Sequence, residues 1–289
     1  MNARAIALAP ARRSRRPSVA RAVAFTLLAA GAVVMLVPFL WMLSTSLKPS
    51  SAVLTMPPQL LPAQPTLEPY RQVADSFPLV RVLLNSLLVA GVSTFGQLLV
   101  CSMAGYAFAR FEFRGRRALF MLYLATLMIP FAVTMTPLFI IVKTLGWTDS
   151  YLGLIVPSMF SAFGTFFMRQ YFLGLPRELE EASTLDGAGS TRTFFSIMLP
   201  QAGPALATLG VLAFMGSWNN FLWPLLIVTN PNLMTLPLAL STLQGLYPGQ
   251  TQWNLVMAGA VISVAPMILV FLLAQKWVVA GIGNTGLKG

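Results

Sequence analysis

The chain has 289 residues, of which 56% are hydrophobic and only 9% are charged, and its mean hydropathy is +0.74. Soluble domains draw about a quarter of their residues from Asp, Glu, Lys and Arg, so this chain has too few charges to cover a water-facing surface. The same numbers exclude intrinsic disorder, which requires low hydrophobicity. The remaining solvent is the bilayer, and we therefore expect an all-α integral membrane protein.

The inventory of reactive side chains is small. Cys101 is the only cysteine and there is no histidine, which excludes an internal disulfide, cysteine-rich metal motifs and Ser-His nucleophiles. None of the four lysines follows a glycine, so the Gly-Lys-[Ser/Thr] signature of a nucleotide-binding P-loop is absent. We therefore predict that the chain is not an enzyme and binds no metal or cofactor. Any ATP would be used by a partner chain.

Charge-free runs indicate where the chain crosses the bilayer, since a membrane helix needs about 20 apolar residues. Four such runs cover residues 22–47, 82–109, 118–142 and 150–168. A fifth run over 193–275 is too long for one helix. Turn-forming residues divide it at 230–232 and again at 245–252, which leaves spans near 204–228 and 254–275. The sequence thus predicts six transmembrane helices.

The runs divide the chain into a basic cytoplasmic tail (1–21), a first transmembrane helix (22–47), an extracytoplasmic loop (48–83), a five-helix core (84–280) and a cytoplasmic C-terminal tail (281–289). The loop has seven prolines and is expected to be extended and irregular. It is too short to form a receptor domain. Recognition of a solute from outside would therefore need another polypeptide.

The basic residues predict the orientation. With a cytoplasmic N-terminus, 15 of the 19 Lys and Arg residues fall inside and 4 outside, as the positive-inside rule requires. Both termini are therefore predicted to be cytoplasmic, and the net charge of +11 needs no nucleic acid to explain it. A cleaved signal peptide is the alternative for the N-terminus, but the first apolar run exceeds the usual h-region of about 7–15 residues.

Polar residues within the spans bear on transport. All eight acidic residues lie in predicted loops, which argues against proton coupling, although a sodium site could use neutral oxygens. Trp218, Asn219 and Asn220 are candidates for a solute pathway, because amides bind hydroxyl groups and aromatic faces pack on sugar rings. The alternative is hydrogen bonding between helices, which we favour for any single residue among Asn85, Gln97, Ser217, Asn219 and Asn220.

The loop over 175–200 is predicted to be a short helix-turn-helix outside the bilayer. Pro176 suits a first helical position, and three following glutamates favour the positive N-terminal end of the helix. Leu179, Ala182 and Leu185 are expected to form one apolar face, and Asp186-Gly187 is a turn signal.

The second helix of this loop is expected to be capped by Ser190, to pass through Phe194 and Phe195, and to end before Pro200. The acids of the first helix and the paired aromatics of the second together favour binding in a protein groove over a membrane surface.

These residues carry a resemblance to a known family. Residues 181–188 read Glu-Ala-Ser-Thr-Leu-Asp-Gly-Ala and, after eight more residues, 197–200 read Ile-Met-Leu-Pro. The pattern resembles the EAA loop of the membrane subunits of ABC importers, with Ser183 in place of the second alanine. Tyr106 to Arg110 and Trp218 to Phe221 also resemble the carbohydrate branch, the group of the maltose importer's smaller permease. The resemblance runs from about residue 22 to the end.

The resemblance implies a type I ABC importer permease whose EAA helix, the coupling helix, docks into a cleft of an ATP-binding subunit. The ATPase-coupling residues it implies are Glu181, Ala182, Ser183, Asp186, Gly187, Ala188, Leu199 and Pro200. Glu181 would be the polar anchor, Ala182 and Ala188 the close-packing positions, and Gly187 the turn, which Asp186 would fix by hydrogen bonding.

The resemblance also implies partners and a location. These are a second, non-identical permease, two ATP-binding subunits, an extracytoplasmic solute-binding protein and a sugar, in the inner membrane of a bacterium or archaeon. The alternatives are an ABC permease for glycerol phosphate, amino acids or peptides, and an ion-coupled carrier.

Overall fold

A computed structural model describes residues 19–244 and 251–283. In these ranges the chain forms α-helices, several 3₁₀ turns and one π-helical turn, without a strand. The helices are α1 Val19–Ser46, α2 Glu68–Ser76, α3 Leu79–Arg110, α4 Arg116–Ala125, α5 Phe131–Thr144, α6 Tyr151–Ile155, α7 Ala162–Gly174, α8 Glu178–Leu185, α9 Ser190–Thr193, α10 Leu199–Gln201, α11 Gly203–Trp218, α12 Leu222–Ile227, α13 Leu236–Ser241 and α14 Trp253–Gly283. Most of both predicted tails, and most of the predicted break at 245–252, lie outside the described residues.

Three described helices are long and apolar enough to cross a membrane: Arg21–Ser46, Leu79–Arg110 and Trp253–Leu273. Three further pairs of helical segments pass the same test together but bend between their halves by 104°, 41° and 78°. Counting each pair as one span gives up to six among the described residues. Six spans therefore stays a prediction.

The run over 118–142 is not the single helix that its length predicts. α4 and the 3₁₀ turn after it end at Met128, and α5 begins at Phe131 at 104° to them. Pro130 lies at the bend, where its ring and missing N–H prevent a continuous helix and hold Ile129 in an extended conformation. The proline at this bend thus turns a predicted straight span into two segments.

The loop over 48–83 is more ordered than its prolines predict. It contains α2, and α3 already begins at Leu79 inside the predicted loop. Pro69 lies in the first turn of α2, where a missing N–H costs no hydrogen bond. Val73 of α2 is fully buried and belongs to the same core cluster as Leu255 of α14. Burial of this apolar face of α2 therefore orders this part of the loop.

α3 forms the centre of the bundle and packs closely on α7 and α11. A Cβ added to Gly105 of α3 would lie 2.8 Å from the Cβ of Met168, so only glycine permits this approach of the helices. Gly164 of α7 similarly faces Cys101, whose side chain is fully buried. These small residues therefore mark the close packing of α3 on α7.

The end of the bundle where α3 begins, the Leu79 end, is held by polar contacts. Asn85 donates from Nδ2 to the carbonyls of Asn232 (2.9 Å) and Met234 (3.0 Å), and its Oδ1 accepts from the Tyr151 hydroxyl (2.7 Å). Its whole hydrogen-bonding capacity is therefore used inside the protein. Asn85 has the structural role that the sequence favours.

A second polar clamp at this end is built on Asp149. Its Oδ1 accepts from the backbone N–H groups of Thr229 (2.6 Å) and Asn230 (2.8 Å), and its Oδ2 accepts from the Thr229 hydroxyl. These hydrogen bonds favour the ionised carboxylate and lower the pKa of Asp149 below its usual value of 3.8. The clamp ties the loop after α5 to the loop after α12.

Acidification should open this clamp. Because the folded pKa is lowered, its contribution to stability is complete above pH 3.8 and is lost as the pH falls through the folded value. We expect amide hydrogen exchange at Thr229 and Asn230 to be slowed by this carboxylate at neutral pH and to speed up as the pH falls below 3.8, after correction for intrinsic exchange. In Asp149→Asn this acid-induced step should disappear; its persistence would contradict the assignment.

Candidate functional site

α8 projects at the opposite end of α3, the Arg110 end. Glu178, Glu180 and Glu181 occupy its first turn, where the helix dipole favours negative charge. At its C-terminal end, Gly187 donates to the Thr184 carbonyl and Ala188 to the Ser183 carbonyl, each over 3.0 Å. This pair of bonds is a Schellman motif, which needs the left-handed backbone that Gly187 adopts with φ of 75°. The predicted turn at Gly187 is confirmed.

The turn does not use the side chain of Asp186. This residue is exposed, and its carboxylate makes no hydrogen bond to any described residue. Its backbone N–H donates to the Ala182 carbonyl over 3.0 Å. The expectation that the Asp186 side chain fixes the turn is therefore wrong; the backbone bonds and the glycine conformation hold it.

The two faces of α8 are sharply different. Ser183 is buried, and its hydroxyl lies 2.8 Å from that of Thr193 in α9, while Leu179 packs against the bundle core. Ala182 is exposed and Leu185 is 88% exposed. The predicted apolar face is wrong, because successive three-residue steps rotate around a helix by about 60° and carry Leu185 away from Leu179.

The segment after α8 also differs from prediction. The Ser190 side chain does not cap α9, whose N-cap is Gly189. Phe194 is buried, with its ring centroid 5.1 Å from that of Tyr106, whereas Phe195 is 44% exposed. The two aromatics therefore do not form one docking pair. The helical path continues through Pro200 to Gln201, because a π-helical turn precedes it.

Arg110, at the end of α3, joins three helices. The residue is almost fully buried, and its Nη2 donates to the carbonyls of Phe172 (2.7 Å) and Leu175 (2.6 Å) at the end of α7. Its Nε lies 3.4 Å from Oε2 of Glu180 in α8. The guanidinium therefore fixes α8 to α3 and α7, a role that sequence reasoning missed. The sequence offers two signals at this position: the arginine closes an apolar run, and it ends the Tyr106 to Arg110 segment that resembles the carbohydrate branch.

The remaining residues of the implied coupling set lie around this joint. Leu199 packs on the same core cluster, while Pro200 is exposed at the bend toward α11. The structure thus gathers the set at one end of the bundle. It separates an exposed part, with Glu181, Ala182 and Gly187, from a packed part.

The solute-pathway candidates lie in different environments. Trp218 is 1% exposed, donates from Nε1 to the Ser263 carbonyl of α14 over 3.1 Å, and stacks on Phe214. Its role is packing between helices. Asn219 is exposed, and its Nδ2 donates to the Met215 carbonyl of its own helix.

Asn220 lines a cleft of about 220 Å³ between α3, α11 and the break before α7. The cleft has four polar side chains, and no charged residue of the described chain lines it. These polar residues are Gln97, Ser158, Ser217 and Asn220. Three of them belong to the polar set noted in the sequence, while Ser158 was missed because nothing local distinguishes it. Non-helical backbone at membrane depth is tolerated where it lines such a cavity.

Comparisons with known proteins place the chain among transport proteins. Residues 97–284 match the family model described as the binding-protein-dependent transport system inner membrane component. The arabinooligosaccharides transport system permease protein AraQ of Bacillus subtilis is 36% identical over 88% of this chain and 91% of its own length. The sn-glycerol-3-phosphate transport system permease protein UgpE of Pectobacterium atrosepticum is 40% identical over 72% of this chain and 74% of its own.

A solved structure has the same fold. A chain from the crystal structure of a bacterial ABC transporter involved in the import of the acidic polysaccharide alginate aligns with a TM-score of 0.79 and 25% identity, over 92% of this chain and 98% of that one. The all-α type I ABC permease fold is thereby confirmed, as is a multi-pass inner-membrane location in its broad form. The chain belongs to the family of inner-membrane components of binding-protein-dependent transport systems, the permease subunits of ABC importers.

Proposed function

We propose that this chain is the permease subunit through which an ATP-driven, binding-protein-dependent importer moves a sugar or oligosaccharide by alternating access. The observation that carries the proposal is α8, an exposed acidic helix linked by the Arg110 side chain to α3 and to the end of α7. A protein that couples an external motor to its own spans needs such an element. The alternative of an ion-coupled carrier has no use for it.

The exposed face of α8 is the surface offered to the ATP-binding subunit. Glu181, Ala182 and Leu185 point away from the bundle. Docking there transmits closure of the ATPase pair as movement of α3 and α7, because the Arg110 contacts oppose independent motion of α8. This coupling requires that α8 stay fixed to the bundle while its docking energy to the ATPase differs between the two states of the transporter.

The orientation follows from charge. The Arg110 end is the cytoplasmic end in this proposal, since Arg110, Arg114, Arg116 and Arg117 lie together at the end of α3. α1 leads from Val19 at that side to Ser46 near the Leu79 end, so a cytoplasmic N-terminus is part of the same proposal. Six spans then bring the C-terminus back to the same side.

The solute is proposed to be uncharged and rich in hydroxyl groups. Amides and hydroxyls line the cleft at Asn220 without a charged residue, which suits a sugar. Kinship with AraQ supports the same class. Kinship with UgpE favours glycerol phosphate as the second candidate, but a phosphate would need a basic partner, which the described lining of this cleft lacks.

The proposed complex contains a second, non-identical permease, two ATP-binding subunits and an extracytoplasmic solute-binding protein. The name of the family supports dependence on a binding protein. The sequence has no P-loop, so ATP is hydrolysed by the partner subunits. The hydropathic stretch of α1 is not buried within this chain, which leaves it free to contact lipid or the second permease.

Reconstitution tests this function. The chain would be co-purified with the ATPase, second permease and binding protein encoded beside it, and placed in proteoliposomes. We expect labelled arabinotriose to accumulate only with ATP and the binding protein, and sn-glycerol-3-phosphate not to accumulate. The chain alone should hydrolyse no ATP. Accumulation of glycerol phosphate only, or sugar uptake without ATP, would contradict the proposal.

A further inference from the structure

A second polar pocket lies at the Leu79 end, separate from the cleft at Asn220. Its volume is about 380 Å³, and three prolines form part of its wall. Its polar lining comes from the loop after α1, from α2 and from the start of α14: Ser50, Gln64, Thr66, Glu68, Gln72 and Asn254. Nothing in the coupling function uses these residues.

Asn254 lines the buried side of this pocket, and only 2% of the surface of this residue is exposed. Its Nδ2 donates to the Lys48 carbonyl and to Oγ of Ser50, each over 3.2 Å. Because a carbonyl can only accept, the contact with Lys48 identifies which end of the amide is the NH₂ group. Oδ1 therefore remains as a buried acceptor without a hydrogen-bond partner in the protein. Buried acceptors of this kind are rare because they are costly.

Hydrogen bonds hold three other polar residues of the pocket in place. Gln72 donates from Nε2 to Oε1 of Glu68 over 3.1 Å, and the backbone N–H of Glu68 donates to Oγ1 of Thr66 over the same distance. The neighbouring prolines limit backbone motion. The pocket thus offers oriented acceptors and donors close to the proline rings.

We propose that this pocket binds the ring of an uncharged sugar, as a second solute site on the extracytoplasmic face. This choice of ligand rests on the proposed function. One ring hydroxyl donates to the carboxylate of Glu68, and the Gln64 amide donates to another. Oδ1 of Asn254 is covered in this structure and accepts from a third hydroxyl when the ring displaces the pocket wall. The apolar face of the ring packs on proline.

The charges of the pocket exclude an anionic solute as its ligand. Glu68 repels phosphate, and no Lys or Arg side chain of the described chain lines the pocket. The ammonium group of Lys48 is engaged elsewhere, donating to the Gln59 carbonyl and lying 4.7 Å from the ring centroid of Trp41. The site therefore selects hydroxyl groups rather than negative charge.

Saturation-transfer NMR on the full chain in nanodiscs tests the pocket with arabinotriose as the probe. All variants are compared in one Asn220→Ala background, so that the cleft at Asn220 is weakened and contributes equally to every measurement. We expect Glu68→Ala and Gln64→Ala to weaken binding by about fivefold each, the usual effect of one lost hydrogen bond. Asn254→Leu should abolish binding. Gln59→Ala, exposed nearby but outside the pocket, is the matched control and should bind as before.

Permethylated arabinotriose supplies the chemical control, because it keeps the shape but has no O–H donor. The proposal would be overturned by equal binding of the methylated sugar, or by unchanged binding in both Glu68→Ala and Gln64→Ala. These two substitutions lie at exposed positions, so both variants should fold even if Asn254→Leu does not. Proteoliposome uptake distinguishes failure of the pocket proposal from failure of the proposed transport function. Uptake of arabinotriose by the wild type without pocket binding overturns only the pocket, whereas pocket binding without ATP-driven uptake overturns only the transport function.

Discussion

Replacing Arg110 by glutamine is expected to lower ATP-driven uptake at least tenfold. The change removes a nearly buried cation whose partners are Glu180 and the carbonyls of Phe172 and Leu175. Loss of charge-assisted bonds of this kind costs about 2–4 kcal/mol, since Glu180 is left without its counter-ion. α8 would then move independently of α3 and α7. The measurement is solute uptake and ATP hydrolysis in proteoliposomes containing the assembled importer.

The pattern of the two rates separates uncoupling from misfolding. If Arg110 acts as the joint, ATP hydrolysis continues while uptake falls, and the variant still co-purifies with the ATPase. Arg110→Lys should be intermediate, because an ammonium group keeps the charge but lacks the planar fork that reaches several partners. Arg114→Gln removes an exposed charge four residues away and should transport normally. Normal uptake by Arg110→Gln would refute the proposal that Arg110 couples α8 to α3 and α7.

Replacing Leu185 by aspartate is expected to weaken binding of the ATP-binding subunit by about 30-fold, the effect of losing a central interface residue of about 2 kcal/mol. Leu185 is 88% exposed at the C-terminal end of α8, on the face that is proposed to dock into the ATP-binding subunit. Its neighbour Asp186 would add repulsion to a new carboxylate. Co-purification of the ATPase with the variant, quantified against wild type, is the measurement.

Folding of the isolated permease should be unaffected by Leu185→Asp, because the wild-type side chain contributes little to the core. The matched control is Thr191→Asp, which adds the same charge at an exposed position in the first turn of α9. It should bind the ATPase normally. Equal retention of the ATPase by Leu185→Asp would show that this face of α8 is not the docking surface.

The turn at Gly187 illustrates what could be predicted from sequence. An Asp-Gly pair after an amphipathic segment indicates a helix end, and the glycine has the expected positive φ. Close packing at Gly105 likewise depends on one residue, because only a missing side chain permits the approach of Met168. Both features follow from properties of single residues.

The errors lie where distant residues meet. The burial of Phe194 depends on Tyr106 and Phe172, which precede it by many residues. The bonds of Arg110 to α7 likewise bridge 62 and 65 positions of sequence. No periodicity within α8 or its neighbours encodes such partners, so the exposed and packed parts of the coupling segment could not be told apart.

Composition, charge placement and one loop pattern were sufficient to predict that this protein is a helical membrane protein. They were also sufficient to predict the transport family to which it belongs. These properties depend on the solvent and on backbone preferences, which act residue by residue. Only the tertiary structure decided which side of α8 is free, which arginine holds it, and which amides border a cleft. Those outcomes depend on packing between helices that are far apart in the chain.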